Sequence, residues 1–226
     1  MGDTARSRGF YKSEGEYGFK LLKDQRIAIL YIPKGAWVHV ESNCIFNPYS
    51  MHEYYDVRWA TKYTMKHRAS KARVVEIISL YKKENVWRTT GYQAVTAKGT
   101  PSYSKYDENY EYRVGDVVKP RFPYSLRDET CASGIHYYTS ISIMATHSTI
   151  WSDYKDIFCN CFSFDILSMV YMHMSHRERT QYQCNSNQFE AFILDIIHND
   201  MKELGYDEAT ICSYTRDNCF PTIGSF

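Results

Sequence analysis

The residues in this chain best suited to covalent chemistry are Cys131 and His136, which flank Ser133-Gly134. A cysteine becomes a nucleophile when an imidazole holds it as thiolate and a third group orients that imidazole. Along a β-type segment, residues an odd number apart point to opposite faces. Cys131 and His136 are so placed, and they are read as packing around a tight turn at Gly134. Cys159 and Cys161, with His173, His176 and Cys184, offer ligand types that suit zinc. Structural zinc sites, however, usually begin with two to four residues between cysteines. Here a single residue intervenes, so no metal is assigned and the pair is read as core. The basic run Lys66, His67, Arg68, Lys71 and Arg73 has arginines able to meet phosphate oxygens. At a strand entry such a run is usually solvated or paired with carboxylates, and nucleic acid is not expected as a partner. His52-Glu53 and His198-Asn199-Asp200 read as solvated surface groups. There is no phosphate-cradling glycine loop of the P-loop or dinucleotide type. No catalytic constellation is complete, so no catalytic residue and no cofactor is assigned.

The elements that must position these residues are mostly strands. Gly18–Leu22 and Arg26–Ile32 read as two strands, the second apolar on both faces as a central strand should be. Pro33-Lys34-Gly35 interrupts, and Trp37–Val40 resumes as a short strand. Glu41–Met65 is irregular, with Tyr49, Tyr54, Tyr55 and Trp59 scattered through polar sequence as a surface excursion. Ala72–Ile78 is rich in β-branched residues and reads as a strand. Tyr81–Gly91 and Lys98–Asn109 read as loops, Tyr110–Val118 as one strand stopped by Pro120, and Gly134–Ser142 as another strand. Ile157–Met174 fits either a buried helix or a strand pair. Gln188–Leu204 is a helix by its stripe of Phe189, Phe192, Ile193, Ile196, Ile197, Met201 and Leu204. Asn185 and Ser186 can cap its start, and Gly205 supplies a left-handed stop. Ile211–Tyr214 reads as a short strand. The fold class is therefore α+β: a mixed, mainly antiparallel sheet over residues 17–150 with a helical extension, 151–226, packed on it.

Composition narrows the function classes. The 27 basic and 26 acidic side chains leave a net charge of +1, so no global field draws the protein to nucleic acid or anionic membrane. The 21 tyrosines suit half-buried strand faces and interfaces, because the ring can be buried while the hydroxyl finds a partner. Met1–Arg8 lacks the apolar core of a secretion signal, and no stretch is apolar enough to span a membrane. Seven scattered cysteines read as free thiols in a reducing compartment.

Three segments together resemble one family. Lys66-His67-Arg68-Ala69-Ser70-Lys71-Ala72-Arg73-Val74 resembles its K-C-R-A-x-K-A-x-V motif. Tyr110-Glu111-Tyr112-Arg113-Val114-Gly115-Asp116-Val117-Val118-Lys119-Pro120 is similar to Y-x-V-G-x-x-V-x-P. Cys131-Ala132-Ser133-Gly134-Ile135-His136-Tyr137-Tyr138 is similar to C-S-x-G-I-H-F-F. The apolar run Ile27–Pro33 also fits. The family is the uncharacterised domain found after pentapeptide repeats in phage and large DNA virus proteins. The resemblance implies a viral or phage-derived source and brings no established activity. His67 stands where the family has cysteine, which argues against an obligatory thiol, and no pentapeptide repeat is present.

A shorter likeness runs from Gly134, His136, Tyr137 and Tyr138 through Ser140, Ser142 and Ala145. It resembles the stretch that cradles nicotinamide in ADP-ribosyltransferases, where an aromatic stacks on the ring and a strand glutamate polarises the ribose. Tyr137 or Tyr138 would supply the stacking ring; no glutamate is placed. The expected function is that of a noncatalytic viral protein, an interaction or virion-associated structural component using Tyr49, Tyr54, Tyr55 and Trp59. Its partners are expected to be proteins, in the host cytoplasm or the virion. The enzyme alternative is an ADP-ribosyltransferase-like or nucleotide-binding protein acting on host or viral targets.

Overall fold

The computed structural model describes residues 9–23, 26–40, 66–84, 90–96, 99–127, 132–139, 144 and 191–214. Ile27–Ile32 forms β3 and is buried at every position, as a strand covered on both faces must be. It pairs antiparallel with β2 (Glu16–Leu21) on one side and β6 (Ala72–Glu84) on the other. The remaining strands of this sheet are β1 (Phe10–Lys12), β4 (Trp37–Val40), β5 (Lys66–Ala69), β7 (Thr90–Thr96), β10 (Val117–Val118) and β11 (Ile135–Tyr138). Their order is β1-β4-β5-β11-β2-β3-β6-β10, with β7 also on β6. The short pair β8 (Ser102–Tyr103) and β9 (Glu111–Tyr112) lies apart, joined to the large sheet by a bridge between Leu22 and Ser104.

A corner bends this sheet onto itself. The Ser13 N–H donates to Ala36 O, the Gly35 N–H to Ser13 O, and Ser13 Oγ to Ile32 O at 3.0 Å. Through these bonds the β2–β3 ribbon runs on into the β1–β4 ribbon. Since β5 pairs with β4, and β11 joins β5 to β2, the path returns to its own first ribbon. Leu30, Ile32, Val38, Ala69, Val74, Ile135 and Tyr137, drawn from β3, β4, β5, β6 and β11, meet in a single buried cluster on the enclosed side.

The other side carries Tyr17, Phe19, Leu21, Ile27, Ile29, Tyr31 and Ile78, packed against Met144 and two helices. The first helix, α1, covers residues 191–203 of the expected Gln188–Leu204 span and buries Ile193, Ile197 and Met201. Gly205 ends it at a φ of 83°. The Tyr206 N–H reaches Met201 O and the Gly205 N–H reaches Lys202 O, which satisfies carbonyls the helix leaves over. Asp200 is buried, not solvated.

Four element assignments are corrected, one being the expected loop Lys98–Asn109, which contains β8 and the bridging Ser104. Ile211–Tyr214 is not a strand but part of α2 (Glu208–Tyr214). Asp207 caps it, its Oδ1 accepting the Thr210 N–H at 2.8 Å; this side-chain acceptor outweighs the β-branched character of Thr210 and Ile211. Tyr110–Val118 is not continuous either: Gly115, at a φ of 90°, turns the chain between β9 and β10, and its N–H donates to Val74 O. The expected loop Tyr81–Gly91 instead contains the end of β6 and the start of β7, paired from Ile78↔Thr96 to Glu84↔Thr90. The result is a mainly antiparallel α+β fold with a C-terminal helical segment. Ile157–Met174 lies outside the described residues.

Candidate functional site

Two of the three motifs meet at Arg68. On β5 its side chain is fully buried, at 0% exposure. An arginine can be buried when its fork of donors finds acceptors. Nη1 donates to Ser125 O at 2.7 Å and Ser133 O at 3.2 Å, and Nη2 donates to Arg127 O at 2.8 Å. Nη2 also donates to His39 Nδ1 at 3.1 Å, which places that ring's proton on Nε2. Tyr124 closes the arrangement, donating to Arg68 O, with its ring 5.4 Å from the guanidinium. One side chain thus ties Ser125, Arg127 and Ser133 to the sheet. Gly134 is required here because a Cβ would lie 2.1 Å from Arg68 Cγ; close approach, not a turn conformation, is its role.

Arg73, from the same motif, reaches the helices. Its Nη1 and Nη2 hold both carboxylate oxygens of Asp200 at 2.8 and 2.7 Å. Tyr17 donates to Asp200 Oδ2 at 2.6 Å. The Asp200 hydrogen bond raises the Arg73 guanidinium above its usual range. The second motif enters through β10, whose Val117 pairs with Arg73 and Val118 with Ala72.

The residues singled out for ligand binding are distributed as follows. Gly134 lies over the Arg68 stem. On β11, Ile135 and Tyr137 are buried, while His136 and Tyr138 are half-buried, and Tyr138 packs toward the helices. Tyr137 is at 0% exposure, its ring so close over Gly18 that a Cβ there would sit 2.1 Å from Cδ2. Its hydroxyl donates to Glu16, which also accepts from Tyr11 at 2.9 and 3.0 Å. Burial raises the Glu16 carboxyl above its ordinary value. Lys20, two positions beyond Gly18 on the same face, donates to His136 O at 3.0 Å and faces the Tyr112 ring. Burial, with Lys66 nearby, lowers its amine to about 8. Tyr49, Tyr54, Tyr55, Trp59, Cys131, the Cys159–Cys184 group and His52-Glu53 lie outside the described residues. Among the described residues, no three His, Cys, Asp or Glu side chains gather where a metal could sit. No helix among them is long and apolar enough to cross a membrane.

Sequence reasoning missed a set of exposed apolar side chains within residues 103–126. Tyr103, Tyr106, Val114, Val117, Phe122 and Leu126 are exposed large apolar side chains, with Tyr106 at 83% and Phe122 at 70%. Among the described residues, Leu204 is the one further exposed side chain of this kind. Local contacts fix these segments: Arg121 meets Asp107 at 3.5 Å, Tyr110 donates to Lys119 O, and Ser133 Oγ donates to Phe122 O at 2.8 Å. Exposed apolar side chains on an anchored scaffold are suited to contact with another macromolecule. The sequence signal for them was the Tyr/Phe/Pro content of 103–126, read only as strand and loop.

No curated protein and no solved structure matches the chain. A family of unknown function, DUF5758, matches residues 7–143, which takes in the motifs at Arg68, Gly115 and Gly134 and more than half of the sequence. The chain belongs to that family.

Proposed function

We propose that the protein is a noncatalytic interaction component, and that it serves as a virion-associated structural part of a large DNA virus or phage-derived system, in the host cytoplasm or the particle. One observation carries the interaction reading: six of the seven exposed large apolar side chains recorded among the described residues fall within 103–126, on segments pinned by Arg68 and by the Arg121–Asp107 pair. The viral setting is supported by the motif resemblance. In the test, Tyr106, Phe122 and Leu126 are replaced by serine in the full chain, and particles and copurifying proteins are analysed by mass spectrometry. Loss of the association with the fold intact is expected. Unchanged stoichiometry would remove this surface from the proposal and leave Tyr49, Tyr54, Tyr55 and Trp59 as the expected contacts.

The enzyme alternative has one observation in its favour, a strand carboxylate, Glu16, bonded to Tyr137. Against it weighs the complete burial of the Tyr137 ring beneath Gly18, which leaves only Tyr138, half-buried and packed toward the helices, as a stacking ring. Ligand at about 100 times its dissociation constant adds roughly 2.7 kcal/mol. A flat thermal-melt response to millimolar NAD is therefore expected, and a clear upward shift would reinstate the transferase reading.

A further inference from the structure

The sheet face formed by Tyr17, Phe19, Ile29, Tyr31 and Ile78 lies inside the family match, whereas the helical residues covering it, Ile193, Ile197, Met201 and Ile211, lie beyond residue 143. The family domain thus presents an apolar face whose helical cover, in this chain, comes from outside the domain. That cover is chosen by charge as well as by apolarity. Asp200, one position before Met201, is held in both carboxylate oxygens by Arg73 and receives the Tyr17 hydroxyl. On α2, Tyr214 Oη accepts the Tyr17 backbone N–H at 2.7 Å, and Tyr206 meets Tyr31 hydroxyl to hydroxyl at 3.2 Å. The sheet supplies a cation and phenols, and the helix supplies the carboxylate. A helix lacking that carboxylate would leave Arg73, part-exposed beside the Tyr31 ring, without its two-pronged partner, so the face discriminates among helices. Residues 145–190 separate Met144 from α1 in the sequence.

We propose that this face is a receptor for amphipathic helices carrying an aspartate, that residues 191–214 are its built-in occupant, and that a partner protein's helix of the same pattern displaces them. The required pattern is two isoleucine-sized side chains four apart, then a carboxylate three further on with an apolar neighbour, as in Ile193, Ile197, Asp200 and Met201. Helix-in-groove recognition reads spacings of this kind, and a resident helix weakens every competitor by its own effective concentration. This inference is independent of the 103–126 surface.

The probe is a fluorescein-labelled synthetic peptide spanning residues 187–216 of this chain, titrated into the full-length protein and followed by anisotropy. In Asp200→Asn the internal helix is weakened, so the peptide is expected to bind it roughly tenfold more tightly than wild type. Adding Arg73→Gln to that variant, or placing asparagine at the peptide's own position 200, is expected to cost roughly tenfold again. If Asp200→Asn loses its fold by circular dichroism, Met201→Ala replaces it, since it weakens the resident helix without stranding a charge. Equal or absent binding across folded variants would overturn the proposal. So would dimers that grow with concentration and resist excess peptide, because they would put a second copy's helix on the face.

Discussion

Arg68 illustrates how far a side chain's setting can depart from its type. Its guanidinium reaches the carbonyls of Ser125, Arg127 and Ser133; without the arginine the first two lose this donor, while Ser133 O keeps the Ser125 N–H at 3.2 Å. Leaving such groups unpaired costs about 1–3 kcal/mol each when they stay buried, though loop opening lets water relieve part of that. Arg68→Met is therefore expected to destabilise the protein by roughly 2–4 kcal/mol in urea titrations. Arg68→Lys should cost nearly as much, since one ammonium lacks the planar fork that spans these positions. A lysine variant within about 1 kcal/mol of wild type would show that charge, and not the fork, holds the loop. None of this was visible in the sequence, where an arginine in a basic run is by default solvated. Gly134 held the clue, because a glycine beside a buried arginine marks close approach, but the partner sits on another strand. Glu16 and Tyr137 were hidden for the same reason: their pairing depends on β11 lying beside β2, and no local pattern encodes that neighbour.

At the scale of elements, burial on both faces was what made a strand readable. β3 and the first half of β6 announced themselves through continuous β-branched and apolar residues, and α1 through its stripe of apolar positions. The far end of β6 and all of β7 did not, since Lys82, Lys83, Glu84 and Gln93 carry no alternating apolar signal. α2 was misread because Ile211 is its one buried position, too few to set a helical period. Its hold on the sheet is accordingly polar. The Tyr214 hydroxyl accepting the Tyr17 N–H, and Asp200 gripping Arg73 and Tyr17, set where the helices dock, while Ile193, Ile197 and Met201 supply the burial, about 1.5–3 kcal/mol per side chain. Tyr214→Phe is expected to leave α1 docked and loosen α2, raising amide exchange across 208–214 roughly fivefold or more with little change in β3. Uniform acceleration through the sheet as well would mean that the helices and sheet open as one unit.

Over the whole molecule, buried ionisable groups act on stability in opposite directions. The Lys20 amine stands at about 8 in the fold against 10.5 unperturbed, so between those values the unfolded chain carries the extra proton and stability rises with pH. The hydroxyls of Tyr11, Tyr17, Tyr112 and Tyr137 are pushed upward, burial being the largest cause in each. Above about pH 10 the unfolded chain loses those protons while the fold keeps them, and stability falls. Glu16, also raised, has the tyrosines' sign at acid pH: the fold holds its proton through a window above 4.5, where stability falls as pH rises. Urea midpoints measured from pH 7 to 11 should climb by about 2 kcal/mol in stability to a maximum near pH 9–10 and then drop. Lys20→Met should abolish the climb and keep the drop. A wild-type profile flat from pH 7 to 9.5 would mean that Lys20 reaches water.

The placement of β11 also governs the order of events during synthesis. It lies between β5 and β2, yet it leaves the ribosome long after both. Until Ile135–Tyr138 emerges, those two strands each keep an unpaired row of backbone donors and acceptors, and the curl cannot close. β11 is thus a keystone laid last, and closing over so long a loop is slow. A nascent chain paused between 70 and 134 is therefore the species most exposed to strand pairing with its neighbours on the same messenger.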